Sequence, residues 1–520
     1  MKKLLKLLLV ALLAFSFVGC NKDNNNNNNE TNNLSQQWLD SDGYVHVNVV
    51  CPQTLPTLEP LSTTSGVYTA CLWDMMYDYL LKDNLDGTYG PRLAERWEVS
   101  DDGKEFIFYL LEGVEFSNGT PFNAYDVAAT MQRYIDKKGT EYNVAGIWLL
   151  LDSYEVIDDY TIKIRFTQPY GTALYEFANA VIFSAEDYAE LGDEYFTNGH
   201  CIGTGKWVLE DFKESQYITL KINENYREPI TTNVQKFTLN FMSENASMVT
   251  GLLSGDFDDA TRISSDLLSM LSGQDKLNIQ HVASTSILMI GLQCGEGSVF
   301  NDLAVRQAFY YAIDRQGICD NILVGSHPTA QYLPEGTNGY VSANVMAYDI
   351  NKAKELLANS SYNGEKIVLE VNSGLPSVDD VFVYICDTLT EAGFNVTYNK
   401  VETAYLGEIR KTGDFTAYAI TDNIQIDNGR ALQVRFGNPG QNHNLDNQEL
   451  YDLIAELQTT VDANKRTDIL TEINTLIYEN CGPCCPVVAY AFNNVTRVGL
   501  KGVVYTPLGG YLYNNIYIEE

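Results

Sequence analysis

Alternating and periodic apolar residues mark strands and helices along most of the chain. The segments 44–50 (YVHVNVV) and 161–166 (TIKIRF) alternate apolar and polar residues, which predicts half-buried strands. Apolar residues spaced three and four apart predict helices over 68–81 and 125–135. Asn123 is a plausible N-cap of the second helix, because its side chain can accept a hydrogen bond from the first turn.

The segment 366–402 combines the two patterns in one unit. The strand KIVLEV at 366–371 precedes a helical pattern over 378–391, Gly393 marks the helix end, and a second strand follows at 395–401. Two strands joined by a helix pair in parallel, since a parallel connection needs a long crossover. This part of the chain therefore predicts a parallel sheet with covering helices.

A cysteine-rich turn lies between a helix and a strand near the C-terminus. Apolar spacing predicts a pair of amphipathic helices over 450–477 with a break near Asp462, or one long bent helix, and then a strand at 487–492. The letters CGPC at 481–484 spell the motif of thioredoxin-like oxidoreductases, in which the first Cys opens a helix whose N-terminus stabilises the thiolate. Here a helix ends before Cys481. We therefore predict a tight turn with idle thiols, and a redox enzyme is the remote alternative.

The N-terminus predicts export and a lipid anchor. Residues 1–19 carry three Lys and then an apolar run, a secretory signal too short to span a bilayer. The segment FVGC at 17–20 resembles the lipobox of bacterial lipoproteins, in which the new N-terminal Cys, here Cys20, is lipidated. The segment 20–40, rich in Asn, predicts a flexible tether. An ordinary secretory signal is the alternative.

Composition excludes several classes of protein. The 520-residue chain suggests two to four domains at about 150 residues each. Its formal charge of −34 argues against nucleic acid and anionic lipid as partners. The five His are scattered and show no metal-ligand spacing, so we expect no metal and no cofactor. Nine Cys beyond Cys20 are too widely spread to predict a disulfide framework.

One segment is specific enough to indicate a family. The run PRLAERWEVSDDGKEFIFYLLEGVEFSNGTPFNAYDV at 91–127 resembles the signature of family 5 extracellular solute-binding proteins, the peptide-binding components of ABC importers. GTGKW at 203–207, LKINENY at 220–226, LAVRQAFYYAID at 303–314 and YDINKAKELL at 348–357 resemble further motifs in the same order. Lys206 and Arg227 depart from the residues usual in that family.

The resemblance implies an α/β fold of the two-lobed periplasmic-binding-protein type (class II, large peptide-binding type) with an extra small domain. It implies three regions that follow the signal peptide and the tether: lobe I from 41–74, 199–286 and 489–520; an additional domain at 75–198; and lobe II at 287–488.

The resemblance also implies a function. The protein would be a monomeric substrate-binding lipoprotein that captures di- or oligopeptides between two closing lobes and delivers them to an ABC permease, facing outward from the cell membrane. It would not be an enzyme. The same fold with another solute (an oligosaccharide, a nickel complex or haem) and a sensory or adhesion lipoprotein are the alternatives.

The resemblance further implies which residues contact the ligand. Asp422 would pair with the ligand ammonium, with Asp427 as its rival. A guanidinium, from Arg430 or Arg435, would grip the ligand carboxylate bidentately. The TSG segment of lobe I would touch the ligand through Ser65, Gly66 and Tyr68, and Trp148 and Trp207 either line the cleft or pack in the core.

Overall fold

A computed structural model describes residues 36–61, 66–140, 142, 146–197, 199–342, 346–437 and 443–520. The predicted signal peptide, Cys20 and most of the predicted tether lie outside this part of the chain. Residues 36–40, which the prediction assigned to the tether, belong to the folded body instead. Trp38 is 1% exposed and packs in the core beside Val45, because its large apolar side chain is stabilised by burial.

Helices are distributed along the whole described sequence. The α-helices are α1 (Gly66–Met76), α2 (Ala124–Lys137), α3 (Ala173–Phe177), α4 (Ala185–Leu191), α5 (Asn245–Ser254), α6 (Leu268–Leu271), α7 (Leu303–Ala312), α8 (Arg315–Asn321), α9 (Ile350–Ala358), α10 (Val378–Ala392), α11 (Thr403–Thr412), α12 (Gly429–Phe436), α13 (Gln448–Thr459) and α14 (Ala463–Glu479). Within the described residues, none is both long and apolar enough to cross a membrane.

Strands alternate with these helices. They are β1 (His46–Cys51), β2 (Leu81–Asp83), β3 (Tyr89–Pro91), β4 (Ala94–Val99), β5 (Glu105–Leu110), β6 (Leu151–Asp158), β7 (Thr161–Phe166), β8 (Trp207–Lys213), β9 (Tyr217–Ile222), β10 (Lys236–Phe241), β11 (Asp259–Ala260), β12 (Leu277–Leu292), β13 (His327–Pro328), β14 (Lys366–Asn372), β15 (Asn395–Val401), β16 (Ala417–Asn423), β17 (Cys484–Arg497), β18 (Leu500–Lys501), β19 (Val504–Tyr505), β20 (Tyr511–Leu512) and β21 (Tyr517–Ile518).

One long sheet runs through both lobes. Its strand order is β15-β14-β16-β12-β17-β11-β1-β10-β9-β8, with β13 also paired to β17. The antiparallel strands β12 and β17 pair from Leu277 and Arg497 at one end to Gly291 and Cys484 at the other. The register shifts between Ala283 and Ile287, where residues 284–286 lie opposite Tyr490 alone. The strands pass from one lobe to the other at this bulge, which interrupts the ladder and bends the strand.

Separate hydrophobic cores define three bodies. Lobe I packs around β1, β9 and β10, and lobe II packs on both faces of β12 and β16 and against β14. The additional domain has a four-stranded sheet, β4-β5-β7-β6, and a core that runs from Leu80 to Ile182. Buried residues at 75–79 and 183–196 pack instead with lobe I. The predicted α/β fold of two lobes and an extra small domain is confirmed, while the exact domain boundaries stay a prediction.

Local sequence patterns account for most of these elements. The predicted βαβ unit is present as β14, α10 and β15, with β14 and β15 parallel. Gly393 caps α10 with φ +110°, a conformation that glycine adopts at little cost. At the start of α2, Asn123 and Asp126 form a capping box.

The predicted helix 68–81 is too long. The helix α1 ends at Met76, whose carbonyl accepts a hydrogen bond from the Gly205 N–H, and Leu81 already belongs to strand β2. A backbone contact with a distant segment thus replaces the last helical turn.

Candidate ligand-binding cleft

The predicted ligand contacts of lobe II lie at the end of β16, in the loop that follows it and on helix α12. Strands β14 and β16 are parallel, and ligands of open α/β sheets bind outside the carboxyl ends of such strands. The β16 loop, residues 424–428, continues from that end into helix α12. Across the cleft, the Tyr175 hydroxyl of the additional domain accepts a hydrogen bond of 2.9 Å from Gln425 Nε2. The β16 loop therefore lies where lobe II faces the additional domain.

Asp422, at the end of β16, is buried and already paired. Arg435 on α12 binds its carboxylate bidentately, with Nε and Nη2 each 2.8 Å from a carboxylate oxygen. The Tyr332 hydroxyl donates to the same carboxylate at 2.7 Å. The pairing of Asp422 with a ligand ammonium stays a prediction, and it would require the ammonium to displace Tyr332 or Arg435. The Nε and Nη2 groups of Arg435 are thereby hydrogen-bonded to Asp422.

Asp427, the rival ammonium partner, is also paired within lobe II. Arg466 on α14 donates to both of its carboxylate oxygens, from Nε at 2.6 Å and Nη2 at 2.7 Å. Arg466 is 3% exposed, so this ion pair is shielded from water. The pair holds the β16 loop against α14.

Arg430, on the first turn of α12, is exposed and lies beside a carboxylate of the additional domain. Gly146 lies against both groups. A Cβ atom built on Gly146 would be 2.7 Å from Glu176 Oε1, 3.3 Å from the Tyr170 hydroxyl and 3.4 Å from Arg430 Nη1, so these three side chains surround the same point. Burial raises the pKa of Glu176 to about 7, and the positive charge of Arg430 opposes that rise. Sequence reasoning missed Glu176, because no motif or periodicity distinguishes it from other acidic residues on short helices.

The predicted contacts from lobe I fall partly outside the described residues. Ser65 is one of the undescribed positions, and so is the side chain of Tyr68. Gly66 is the first residue of α1, so the predicted TSG segment leads directly into that helix. The ligand contacts of these three residues stay a prediction.

Both candidate tryptophans pack in hydrophobic cores. The ring of Trp148 stacks on Tyr134 with centroids 4.2 Å apart in the core of the additional domain. Trp207 is fully buried in the core of lobe I, beside Phe237. Of the two readings that the sequence left open for these residues, the structure supports core packing.

Histidine and carboxylate side chains do not gather into a metal site in the described ranges, which contain no group of three or more His, Cys, Asp or Glu able to hold an ion. His443 is buried between the Tyr418 hydroxyl and the Leu292 carbonyl, and burial lowers its pKa to about 4. It is thus a neutral core residue.

The CGPCC turn connects helix α14 to strand β17. Cys481 adopts φ +42° just after the helix end, and Cys484 and Cys485 are the first residues of the strand. All three thiols are free and buried. Burial raises the pKa of Cys481 to about 12 and that of Cys485 to about 11, which disfavours the reactive thiolate. The geometry is that of a structural turn.

Two lobes joined by continuous strands, with an exposed guanidinium where lobe II faces the additional domain, have the architecture of proteins that bind a ligand between two lobes. The segment 88–442, more than half of the chain, matches the family described as bacterial extracellular solute-binding proteins, family 5 Middle. The chain belongs to this family, and the predicted resemblance is confirmed.

Relatives of known name cover most of the chain. Heme-binding protein A of Haemophilus influenzae is 27% identical over 470 residues, covering 82% of this chain and 84% of its own. The probable D,D-dipeptide-binding periplasmic protein DdpA of Escherichia coli is 24% identical, covering 84% and 87%. The oligopeptide-binding protein OppA of Bacillus subtilis is 23% identical, covering 85% and 87%. These relatives are binding proteins.

Solved structures share the fold. HbpA2 from Haemophilus parasuis superposes with a TM-score of 0.80 at 20% identity, covering 91% of this chain and 100% of its own. DppA from Helicobacter pylori, in complex with the peptide STSA, gives a TM-score of 0.71 at 21% identity, covering 91% and 98%.

The Asp422 ion pair generates a stability prediction. Asp422→Asn removes the negative charge that two buried groups require, so we expect the free energy of unfolding to fall by about 3 kcal/mol. The urea midpoint measures this fall, and Asp387→Asn, on the exposed face of α10, is the matched control. An Asp422→Asn protein with the wild-type midpoint would show that the pair contributes no stability.

The buried thiols generate a reactivity prediction. Because their pKa values are raised and water does not reach them, Cys481, Cys484 and Cys485 should resist iodoacetamide at pH 8 in the folded protein and react in urea. Mass spectrometry of tryptic peptides reports the labelling. Rapid labelling of Cys481 in the folded state, or insulin reduction that Cys481→Ser abolishes, would establish the redox alternative instead.

Proposed function

We propose that this protein is the substrate-binding lipoprotein of an ABC importer that captures di- or oligopeptides between its lobes and hands them to a membrane permease. The observation that carries the proposal is the exposed Arg430 on the loop side of α12, where lobe II faces the additional domain. A guanidinium at that place suits a ligand with a terminal carboxylate.

The relatives support a peptide as the ligand class. DdpA and OppA are named for dipeptide and oligopeptide binding and cover more than four-fifths of this chain. The solved structure of the structural neighbour DppA is a complex with the peptide STSA. A solute of this kind offers an ammonium, a carboxylate and backbone amides, which main-chain and charged groups recognise together.

The ligand contacts of lobe I complete the proposed site. Ser65, Gly66 and Tyr68 would meet the peptide from lobe I, through hydroxyl and backbone groups. Asp422 would contribute either as the ammonium partner, after displacing Tyr332, or by holding Arg435 and the end of β16 in place. The protein acts as a monomer and carries out no chemical step, so it is not an enzyme.

Cys20 would carry the lipid anchor. Lipidation at the end of the signal peptide keeps the protein on the outer side of the cell membrane, beside its permease, because two or more acyl chains give stable anchoring. The Asn-rich tether then gives the folded body room to dock.

Other solutes are the alternatives. Relatives named for haem and for nickel belong to the same group of matches, and an oligosaccharide would use the same fold. The described residues contain no group of three or more His, Cys, Asp or Glu able to hold a metal ion. A sensory or adhesion lipoprotein without a permease would bind the ligand in the same way, and permease genes beside its own would argue against that alternative.

A ligand screen tests the proposal directly. Peptides, glycans, haem and nickel complexes are added to the purified full-length protein, and thermal unfolding is followed by scanning fluorimetry. A peptide at 100 times its Kd should add about 2.7 kcal/mol to the free energy of unfolding and raise the midpoint. If a glycan or a metal complex raises the midpoint and no peptide does, the peptide assignment is wrong.

Arg430 generates a prediction of specificity. Arg430→Met should weaken binding of a peptide with a free C-terminus by about tenfold, the usual contribution of a charge-assisted hydrogen bond, and leave the C-amidated peptide unaffected. Isothermal titration with both peptides measures the difference. Arg165→Met, on the exposed face of the additional domain, is the control. Equal losses for the two peptides would exclude a contact between Arg430 and the carboxylate.

A further inference from the structure

The two carboxylates that the sequence offers for a ligand ammonium are engaged within lobe II. Both oxygens of Asp422 accept hydrogen bonds from Arg435, and the Tyr332 hydroxyl donates to one of them. Both oxygens of Asp427 accept hydrogen bonds from Arg466. These ion pairs are largely shielded from water, so an ammonium that displaced either arginine would leave a buried charge without its partner. A carboxylate without such a pair would bind a ligand ammonium at lower cost.

Glu176 is a carboxylate of this kind. It lies on helix α3 of the additional domain, where its Oε1 would be 2.7 Å and Nη1 of Arg430 3.4 Å from a Cβ atom on Gly146. Within the described ranges, no group donates a hydrogen bond to the Glu176 carboxylate, and no salt bridge joins it to Arg430. Its oxygens thus lie beside an exposed guanidinium of lobe II and can accept a hydrogen bond from a ligand.

Packing of the additional domain fixes the position of Glu176. The next residue, Phe177, is fully buried, and its ring lies 4.7 Å from that of Phe108 between centroids. The preceding residue, Tyr175, accepts the hydrogen bond from Gln425 of the β16 loop. A binding group held in this way needs little ordering when the ligand arrives, and that favours affinity.

We propose that Glu176 accepts the ammonium of the ligand, and that Asp422 positions Arg435 and the end of β16. This inference rests on the proposed function, since it takes the ligand to be a peptide whose carboxylate binds Arg430. The additional domain would then hold one end of the peptide and lobe II the other, each through a charge-assisted hydrogen bond. An extended dipeptide spans about 7 Å, so its two ends can reach both groups.

The titratable and charged groups near Glu176 come from several elements. They are Arg430 on α12, Tyr134 on α2, Tyr170 before α3, Tyr175 on α3 and Asp83, which acts on Tyr175, on β2. Burial raises the pKa of the three tyrosines, so they stay neutral at pH 7. Burial also raises the pKa of Glu176 to about 7, so its carboxyl group is about half protonated at that pH. An ammonium beside it lowers this pKa, and binding should therefore release a proton.

Glu176→Gln tests the ammonium contact, because glutamine keeps the shape of glutamate and removes the charge. The probes are Ala-Xaa dipeptides and Ala-Ala-Xaa tripeptides with free or acetylated amino ends, titrated calorimetrically into the purified full-length protein. The wild type should bind the free peptides about tenfold more tightly than the acetylated ones. Glu176→Gln should lose this preference and bind the acetylated peptides as the wild type does. Glu112→Gln, on an exposed bend of the additional domain, is the matched control and should bind as the wild type does.

Titrations in phosphate and in Tris at pH 7 measure the proton, since these buffers differ in ionisation enthalpy. The wild type should release about half a proton more than Glu176→Gln does. Equal binding of free and acetylated peptides by the wild type, or no proton released by it, would overturn the inference even if the variant were unfolded by circular dichroism. A folded Glu176→Gln that keeps the preference, while Asp422→Asn loses it, would also overturn the inference and leave the proposed function standing. If no probe binds the wild type, the proposed function itself fails.

Discussion

The pairing of β12 with β17 is the constraint on which the rest of the structure depends. These two strands belong to both lobes, and every other strand of the main sheet attaches directly or indirectly to one of them. Their register shifts at the bulge at 284–286 and again between Leu288 and Met289, so the ladder is interrupted where the strands pass from one lobe to the other. Thr285 within the bulge donates its N–H to the Pro507 carbonyl and its hydroxyl to the Ile424 carbonyl. The bulge is thereby hydrogen-bonded to the β16 loop and to the C-terminal segment.

The distribution of arginine explains how an acidic chain builds a defined cleft. The sequence has 68 Asp and Glu against 34 Lys and Arg. Several arginines form ion pairs with buried or partly buried carboxylates. Two of these pairs, Arg435 with Asp422 and Arg466 with Asp427, fix the end of β16 and the loop after it. Arg430 stays exposed beside them, close to Glu176 of the additional domain.

The sequence predicted the elements that depend on neighbouring residues in the chain. It did not predict the side-chain pairs that depend on residues distant in the sequence. The βαβ unit, the Asn123 cap and the break at Asp462 follow from periodicity and capping, and the structure confirms all three. The partners of Asp422 lie 13 and 90 residues away, so no local pattern reveals that its carboxylate is already engaged. For the same reason Glu176 could not be placed opposite Arg430. The family motif supplied the fold and the region of the site, but not its internal ion pairs.

The described residues separate the framework of the cleft from the groups that could touch a solute. The pairing of β12 with β17 and the ion pair of Arg466 with Asp427 belong to the framework, because they fix the strands and the β16 loop from within the protein. This framework can stay unchanged while the groups that touch the solute vary. This division fits a family whose members keep the fold at about one-fifth identity and are named for peptides, haem and nickel.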